Sequence, residues 1–315
     1  MISVLAKVLE KFTIEIIPNL PIFVRTPLYL NILKLRKVKD RLRFVATNKN
    51  PSFEERLDYA LDSRANLNNS GEKLHDFNSN VVLEEIKEGP VKIYKFIPPN
   101  SSKDKYGIYF HGGGYFAGSI TSHKNLISQI SNDSNLIIYF FEYRLSPEYN
   151  FPSAHEDAKL AVDFINTLHP DHQSIWIGES AGGGLATGLV VDKEYLEKPD
   201  NLILLSPWLD LSDGFEDKKF FKNSDVTIII EGMFEVGEFY AGDYGAKHPI
   251  LSPVYADVDN FPDVLIQVCT EELLYNDAVE FVKKLEDKNV NVELQTWDGL
   301  WPVSYTHLTL PTRLL

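Results

Sequence analysis

The sequence predicts an α/β fold: an eight-stranded, mostly parallel sheet with helices on both faces and a helical cap. Two observations carry this. From residue 81 onward, short apolar runs alternate with helix-length segments, as strands buried on both faces require. Residues 1–80 and 213–248 stand outside that alternation, being polar, charged and helical in pattern.

Taken in order, residues 1–17 place Leu5, Val8, Leu9, Phe12 and Ile16 at helical spacing, while Lys7, Glu10, Lys11 and Glu15 interrupt the apolar run. That is an amphipathic helix rather than a secretion signal. Residues 1–80 are read as an N-terminal helical cap, and 213–248 as an insertion that joins it. Between them, 81–86 and 90–97 flank the turn Lys87-Glu88-Gly89 and form an antiparallel hairpin. Six further strands follow at 106–110, 136–142, 174–177, 202–205, 264–269 and 290–297, with a helix at 185–191. The body of the protein is thus expected over 81–301.

Charge and cysteine usage narrow the function. Thirty-one Lys and Arg against 45 Asp and Glu give a net charge of −14, which opposes a nucleic-acid groove or an anionic membrane face. Residues 1–43 are locally basic, as a solvated helix face would be. With no 18-residue apolar stretch, no stable membrane insertion is expected, and the protein is read as soluble and cytoplasmic. The single cysteine, Cys269, lies in an apolar run and is expected to be a buried, inert thiol.

Two glycine-rich segments carry chemistry. Gly178-Glu179-Ser180-Ala181-Gly182 is a G-x-S-x-G directly after a strand and before a helix. Small residues flank the serine because its backbone must make a sharp turn that exposes Oγ. The second, His111-Gly112-Gly113-Gly114-Tyr115, follows the strand at 106–110. Ester hydrolysis passes through a tetrahedral oxyanion, and consecutive glycines let backbone amides approach it without Cβ interference. Each segment alone has a structural reading, as a helix cap or an anion-binding turn. Together, each at the C-terminal end of a parallel strand, they point to one site. Tyr115 and Tyr143 either line its pocket or pack the strand ends.

These residues resemble the hormone-sensitive-lipase-like carboxylesterases of the α/β-hydrolases. The matching pieces are HGGGY at 111–115, YRLSPE at 143–148, FPSAHED at 151–157, GESAGG at 178–183 and LSPVYAD at 251–257. The resemblance spans roughly 80–301 and implies an α/β-hydrolase fold, Ser180 as nucleophile, and the amides of Gly113, Gly114 and Ala181 as oxyanion hole. It also implies a helical cap shaping the acyl and alcohol pockets. The triad acid should follow the seventh strand; Glu272 fits the family offset best, with Glu271 and Asp277 as alternatives that could equally cap a helix. The substrate would be a small-molecule ester of short to medium acyl chain. No cofactor or metal is expected, and His75, His123, His155, His169, His172 and His248 lack ligand spacing, which makes them surface or packing residues.

The chain departs from the family at the histidine. In this fold the order is Ser, acid, His, and after Glu272 the sequence holds only His307. Relatives carry Asp-Gly, two residues and then His; here Asp298-Gly299-Leu300-Trp301 is followed by Pro302. Residues 302–312 resemble a translated transposase-end sequencing adapter, in a frame where codon 302 keeps only its first base, the C with which histidine codons begin. The expectation is that 302–315 is a non-native tail, that Pro302 occupies the catalytic His position, and that the chain as written is inactive. The alternative is a non-catalytic small-molecule receptor on the same fold, as in the plant gibberellin receptors.

Overall fold

The computed structural model describes residues 51–74, 76–212, 230–270 and 272–297. Residues 1–50 with the expected helix at 1–17, His75, the 213–229 part of the insertion, Glu271, and everything from 298 onward, Pro302 and His307 included, lie outside the described residues.

The elements run α1 (Phe53–Leu74), β1 (Val82–Ile86), β2 (Ile93–Ile97), β3 (Lys105–Phe110), α2 (Ile120–Ser134), β4 (Ile137–Phe141), α3 (Ser153–Thr167) and β5 (Gln173–Glu179). They continue with α4 (Ala181–Val191), β6 (Asn201–Leu205), α5 (Ile230–Ala241), β7 (Asp263–Cys269), α6 (Tyr275–Asp287) and β8 (Val292–Trp297). The eight strands form one sheet in the order β1-β2-β4-β3-β5-β6-β7-β8. β1 with β2 and β2 with β4 are antiparallel, and every other pair is parallel.

Period-two alternation sorts the strand residues into two cores. On one face Ile108, Phe110, Tyr139, Phe141, Trp176, Leu202, Leu204 and Ile266 pack with Ala158 and Val162 of α3, Leu185 of α4 and Phe281 of α6. On the other, Tyr109, Ile138, Phe140, Ile175, Ile177 and Ile203 meet Leu126, Ile127 and Ile130 of α2. Helices therefore cover both faces, as the doubly apolar strand runs anticipate.

The strand order has a functional consequence. β3 leaves through α2 to β4 on one side, whereas β5 leaves through α4 to β6 on the other, so the chain reverses direction between β3 and β5. Crevices form outside the carboxyl ends of strands at such a switch point. The register pairs Phe110 with Gly178, which brings the starts of the two glycine-rich segments side by side.

Most boundaries shift by a few residues from the sequence reading, and two of the shifts have a visible cause. β2 begins at Ile93 rather than 90, because β1 ends at Ile86 and the ladder with β2 closes at the pair Ile86 and Ile93. The helix expected from 185 starts at Ala181. Three consecutive glycines lower helix propensity, yet this turn lies against other backbone: a Cβ on Gly182 would sit 2.1 Å from the carbonyl oxygen of Phe110 and 2.4 Å from that of His111. Tertiary closeness overrides propensity here.

Candidate active site

Ser180 sits between β5 and α4 at φ 49°, ψ −121°, a left-handed conformation that a non-glycine residue adopts only under constraint. The constraint is visible in its backbone. Its amide donates to Leu205 O at 2.9 Å, and its carbonyl accepts from the amides of Gly183 (3.0 Å), Gly184 (3.2 Å) and Trp208 (2.9 Å). The turn is thus sewn to β6 and to the start of α4, with Ser180 only partly buried.

The loop after β3 lies alongside. Gly113, Gly114 and Tyr115 take φ of 113°, 62° and 64°, and the carbonyl of Gly113 accepts the amides of Phe116 (3.1 Å) and Ala117 (2.9 Å). Among the described residues the amides of Gly113 and Gly114 donate no hydrogen bond. That of Ala181 opens α4, where no intrahelical acceptor exists. Donors of this kind suit an anion.

His111 does not reach outward from this loop. Its ring stacks on Tyr143 with centroids 4.0 Å apart and 6° between planes, and its Nδ1 lies 2.8 Å from Gly112 O. Burial, reinforced by neighbouring His123, holds its pKa down to about 3, so the ring is neutral. Tyr143 Oη donates to His111 O at 2.8 Å. Tyr115 is wholly buried and stacks on Tyr240 at 4.1 Å. Both tyrosines therefore pack the strand ends, which answers the question the sequence left open.

Beneath Ser180, Glu179 is buried and its Oε1 lies 3.1 Å from His123 Nε2, while its Oε2 accepts from Tyr109 Oη. Burial pushes this carboxyl up, but the field of His123 and the hydrogen bonds from His123 and Tyr109 outweigh it and hold the pKa below the usual value. Sequence reasoning placed Glu179 inside a motif without giving it a task. The missed signal is a charged residue amid small and apolar neighbours. His123, read as packing, is one of its partners.

The acid candidates separate. Glu272 is fully buried beyond β7, and its Oε1 accepts from Ser206 Oγ (2.9 Å) at the end of β6 and from the amide of Cys269 (3.1 Å). Asp277, equally buried in the first turn of α6, accepts the amides of Leu209 (3.3 Å) and Asp210 (3.1 Å) through Oδ2. Asp277 thus holds the segment after β6. Cys269 is buried and forms no disulfide.

Helix α1 closes one side through Arg64, a residue that sequence reasoning did not single out. Its Nε donates to Phe116 O (2.8 Å), its Nη2 to Ser146 O (2.9 Å), and both terminal nitrogens to the Glu148 carboxylate at 2.7 Å. A cavity of about 310 Å³ lies between α1 and α5, walled by Tyr59, Ser63, Phe116, Pro147, Val236 and Phe239. Among the described residues no group of His, Cys, Asp and Glu is arranged to hold a metal ion, and no helix is long and apolar enough to cross a membrane.

Comparison with known proteins fits this geometry. Residues 107–304 match the family described by its alpha/beta hydrolase fold. An esterase of Acinetobacter venetianus is 28% identical over 235 residues, 73% of this chain and 77% of that protein. An acetyl-hydrolase of Streptomyces hygroscopicus is 28% identical over 69% of this chain and 74% of its own length. A crystal structure of a hormone-sensitive lipase from a metagenome library superposes with a TM-score of 0.78 at 29% identity, covering 90% of this chain and 91% of that one. With strand order, glycine loops and relatives in agreement, the chain belongs to the α/β-hydrolase fold family, in its hormone-sensitive-lipase-like carboxylesterase branch.

Proposed function

We propose that this protein is built as a serine carboxylesterase for short- to medium-chain acyl esters, with Ser180 as nucleophile and Glu272 as triad acid. The observation that carries the reading is Ser180 held at φ 49° beside the unengaged amides of Gly113, Gly114 and Ala181. In this mechanism Ser180 Oγ adds to the ester carbonyl, a histidine takes its proton, and the three amides receive the oxyanion. Collapse expels the alcohol, which leaves with that proton, and water then hydrolyses the acyl-serine. Losing one oxyanion donor in such a site typically costs about 3 to 4 kcal/mol of barrier.

Helices α1 and α5, drawn from the two segments outside the strand alternation, wall the cavity beside Phe116, which supports a cap of 1–80 with help from 213–248 over a body of 81–301. The general base belongs at position 302, where the chain has proline, so turnover as written is expected to be near zero, a loss on the order of a million-fold by the subtilisin precedent. The test is hydrolysis of p-nitrophenyl acetate and butyrate by the chain as written and by Pro302→His carrying a family-like C-terminal helix. Recovery only in the second, abolished by Ser180→Ala, is the expected result; a well-folded Pro302→His protein without turnover overturns the assignment. Sequencing the locus from source DNA checks the tail, and a genuine reading frame through Tyr305 and His307 would reject the adapter origin of 302–315.

A further inference from the structure

We propose that Glu179 and His123 are a pair of positioning residues that fix the glycine-rich loop 112–119 against Ser180, an inference that rests on the oxyanion role just proposed for that loop. A carboxylate removed from water costs several kcal/mol unless it is paired and hydrogen-bonded. A turn that needed only tightness would carry a small or apolar residue before its serine.

The Glu179 carboxylate instead reaches both ends of the loop, the first directly and the second through His123. At the start it lies against Gly112, where an added Cβ would come 2.7 Å from Oε1. At the end, the same Oε1 is 3.1 Å from His123 Nε2, and the other ring nitrogen, Nδ1, is 3.2 Å from Ser119 O and 2.8 Å from Ser122 Oγ. Ser119 is the N-cap of α2, the residue at which the loop becomes helix. Tyr109, on β3, donates to the carboxylate's second oxygen.

Between these anchors Gly113, Gly114, Tyr115 and Gly118 all have positive φ (113°, 62°, 64° and 111°). Glycine visits such conformations without being held in any of them, so the loop's two internal bonds to Gly113 O need support from outside it. Glu179 adjoins Ser180 in the chain, and one carboxylate therefore ties the nucleophile's turn to both ends of the loop that faces it.

Hydrogen exchange of the full chain, followed by mass spectrometry on peptides covering 111–119, tests this without requiring turnover. Glu179→Gln and His123→Gln are each expected to speed exchange of the bonded amides in these peptides, those of Phe116, Ala117 and Ser119, by tenfold or more, with β7 and α6 within twofold of the parent. The double variant should exceed the larger single by less than twofold, because both act through one contact. Tyr109→Phe, which removes one hydrogen bond and keeps the pair, should give a smaller acceleration in the same peptides. The proposal is overturned if either Gln variant leaves 111–119 within twofold of the parent, if exchange rises equally throughout the sheet, or if the two substitutions act independently. In the Pro302→His protein, Glu179→Gln should lower kcat at least tenfold with KM within threefold; a raised KM at unchanged kcat overturns the positioning role. If that protein shows no turnover at all, the esterase reading fails while the exchange result still decides the pairing.

Discussion

The loops that follow β3 and β7 both end parallel strands at the same edge of the sheet, yet they are held in opposite ways. The loop after β3, residues 112–119, is half glycine and makes only a short turn of its own; side chains from α1, the segment after β4, β5 and α2 reach in to hold it, through Arg64, Tyr143, Glu179 and His123. The loop after β7 carries its own carboxylates, and Glu272, with Asp277 just beyond it in α6, grasps the backbone or hydroxyls of neighbouring strand ends. The difference follows from the donors each loop presents. A loop whose amides at Gly113 and Gly114 donate no hydrogen bond has little of its own to hold with there, whereas a loop that presents a carboxylate can use it as an anchor.

The largest expected effect breaks the contact on which the first loop rests. Gly182→Ala drives a Cβ into the carbonyls of Phe110 and His111, 2.1 and 2.4 Å away, and both belong to backbone that cannot turn aside. A loss of about 3 kcal/mol is expected in urea unfolding, the upper end of what overpacking typically costs; a change below about 1 kcal/mol would mean that α4 can shift freely. On the opposite side, Asp277→Ala strips the amides of Leu209 and Asp210 of a buried acceptor. Unsatisfied buried donors cost about 1 to 3 kcal/mol, and the loss should leave exchange over 111–119 unchanged. Acceleration there would show that the two loops are one unit.

Acid sharpens the contrast through His111. Its folded pKa is about 3 against an unfolded value near 6.5. The unfolded chain therefore binds the extra proton, and the stability linked to this group is complete above pH 6.5 and declines as pH falls toward 3. At pH 5 the decline amounts to about 2 kcal/mol, and His111→Phe should flatten the stability profile between pH 6.5 and 4.5 by that amount. The smallest effect belongs to Arg64, whose ion pair with Glu148 is partly exposed. Arg64→Ala should cost about 1 kcal/mol and speed exchange at 115–118, because the carbonyl of Phe116 loses its donor.

Much of this was legible residue by residue. Each strand was found to within a few positions, because a run buried on both faces leaves a continuous apolar signature; 264–269 became Asp263–Cys269 and 202–205 became Asn201–Leu205. Ser180 was legible because the chemistry of its turn is local, requiring small neighbours within two residues on each side. The task of Glu179 was not, since its partner His123 lies 56 residues away and both look unremarkable in isolation. Neither were the contacts of Asp277 with the amides of Leu209 and Asp210, which lie 68 and 67 residues away in the chain.

The sequence by itself determined the fold class, the order of elements, and the two glycine-rich segments that the structure sets side by side, because hydrophobic periodicity and the backbone freedom of glycine act over a few residues. Only the tertiary structure decided that β3 lies beside β5, that Tyr115 and Tyr143 pack rather than point outward, and that one buried carboxylate reaches both ends of the facing loop. Those outcomes depend on sheet register and on close approach between residues distant in the chain, and no local pattern encodes them.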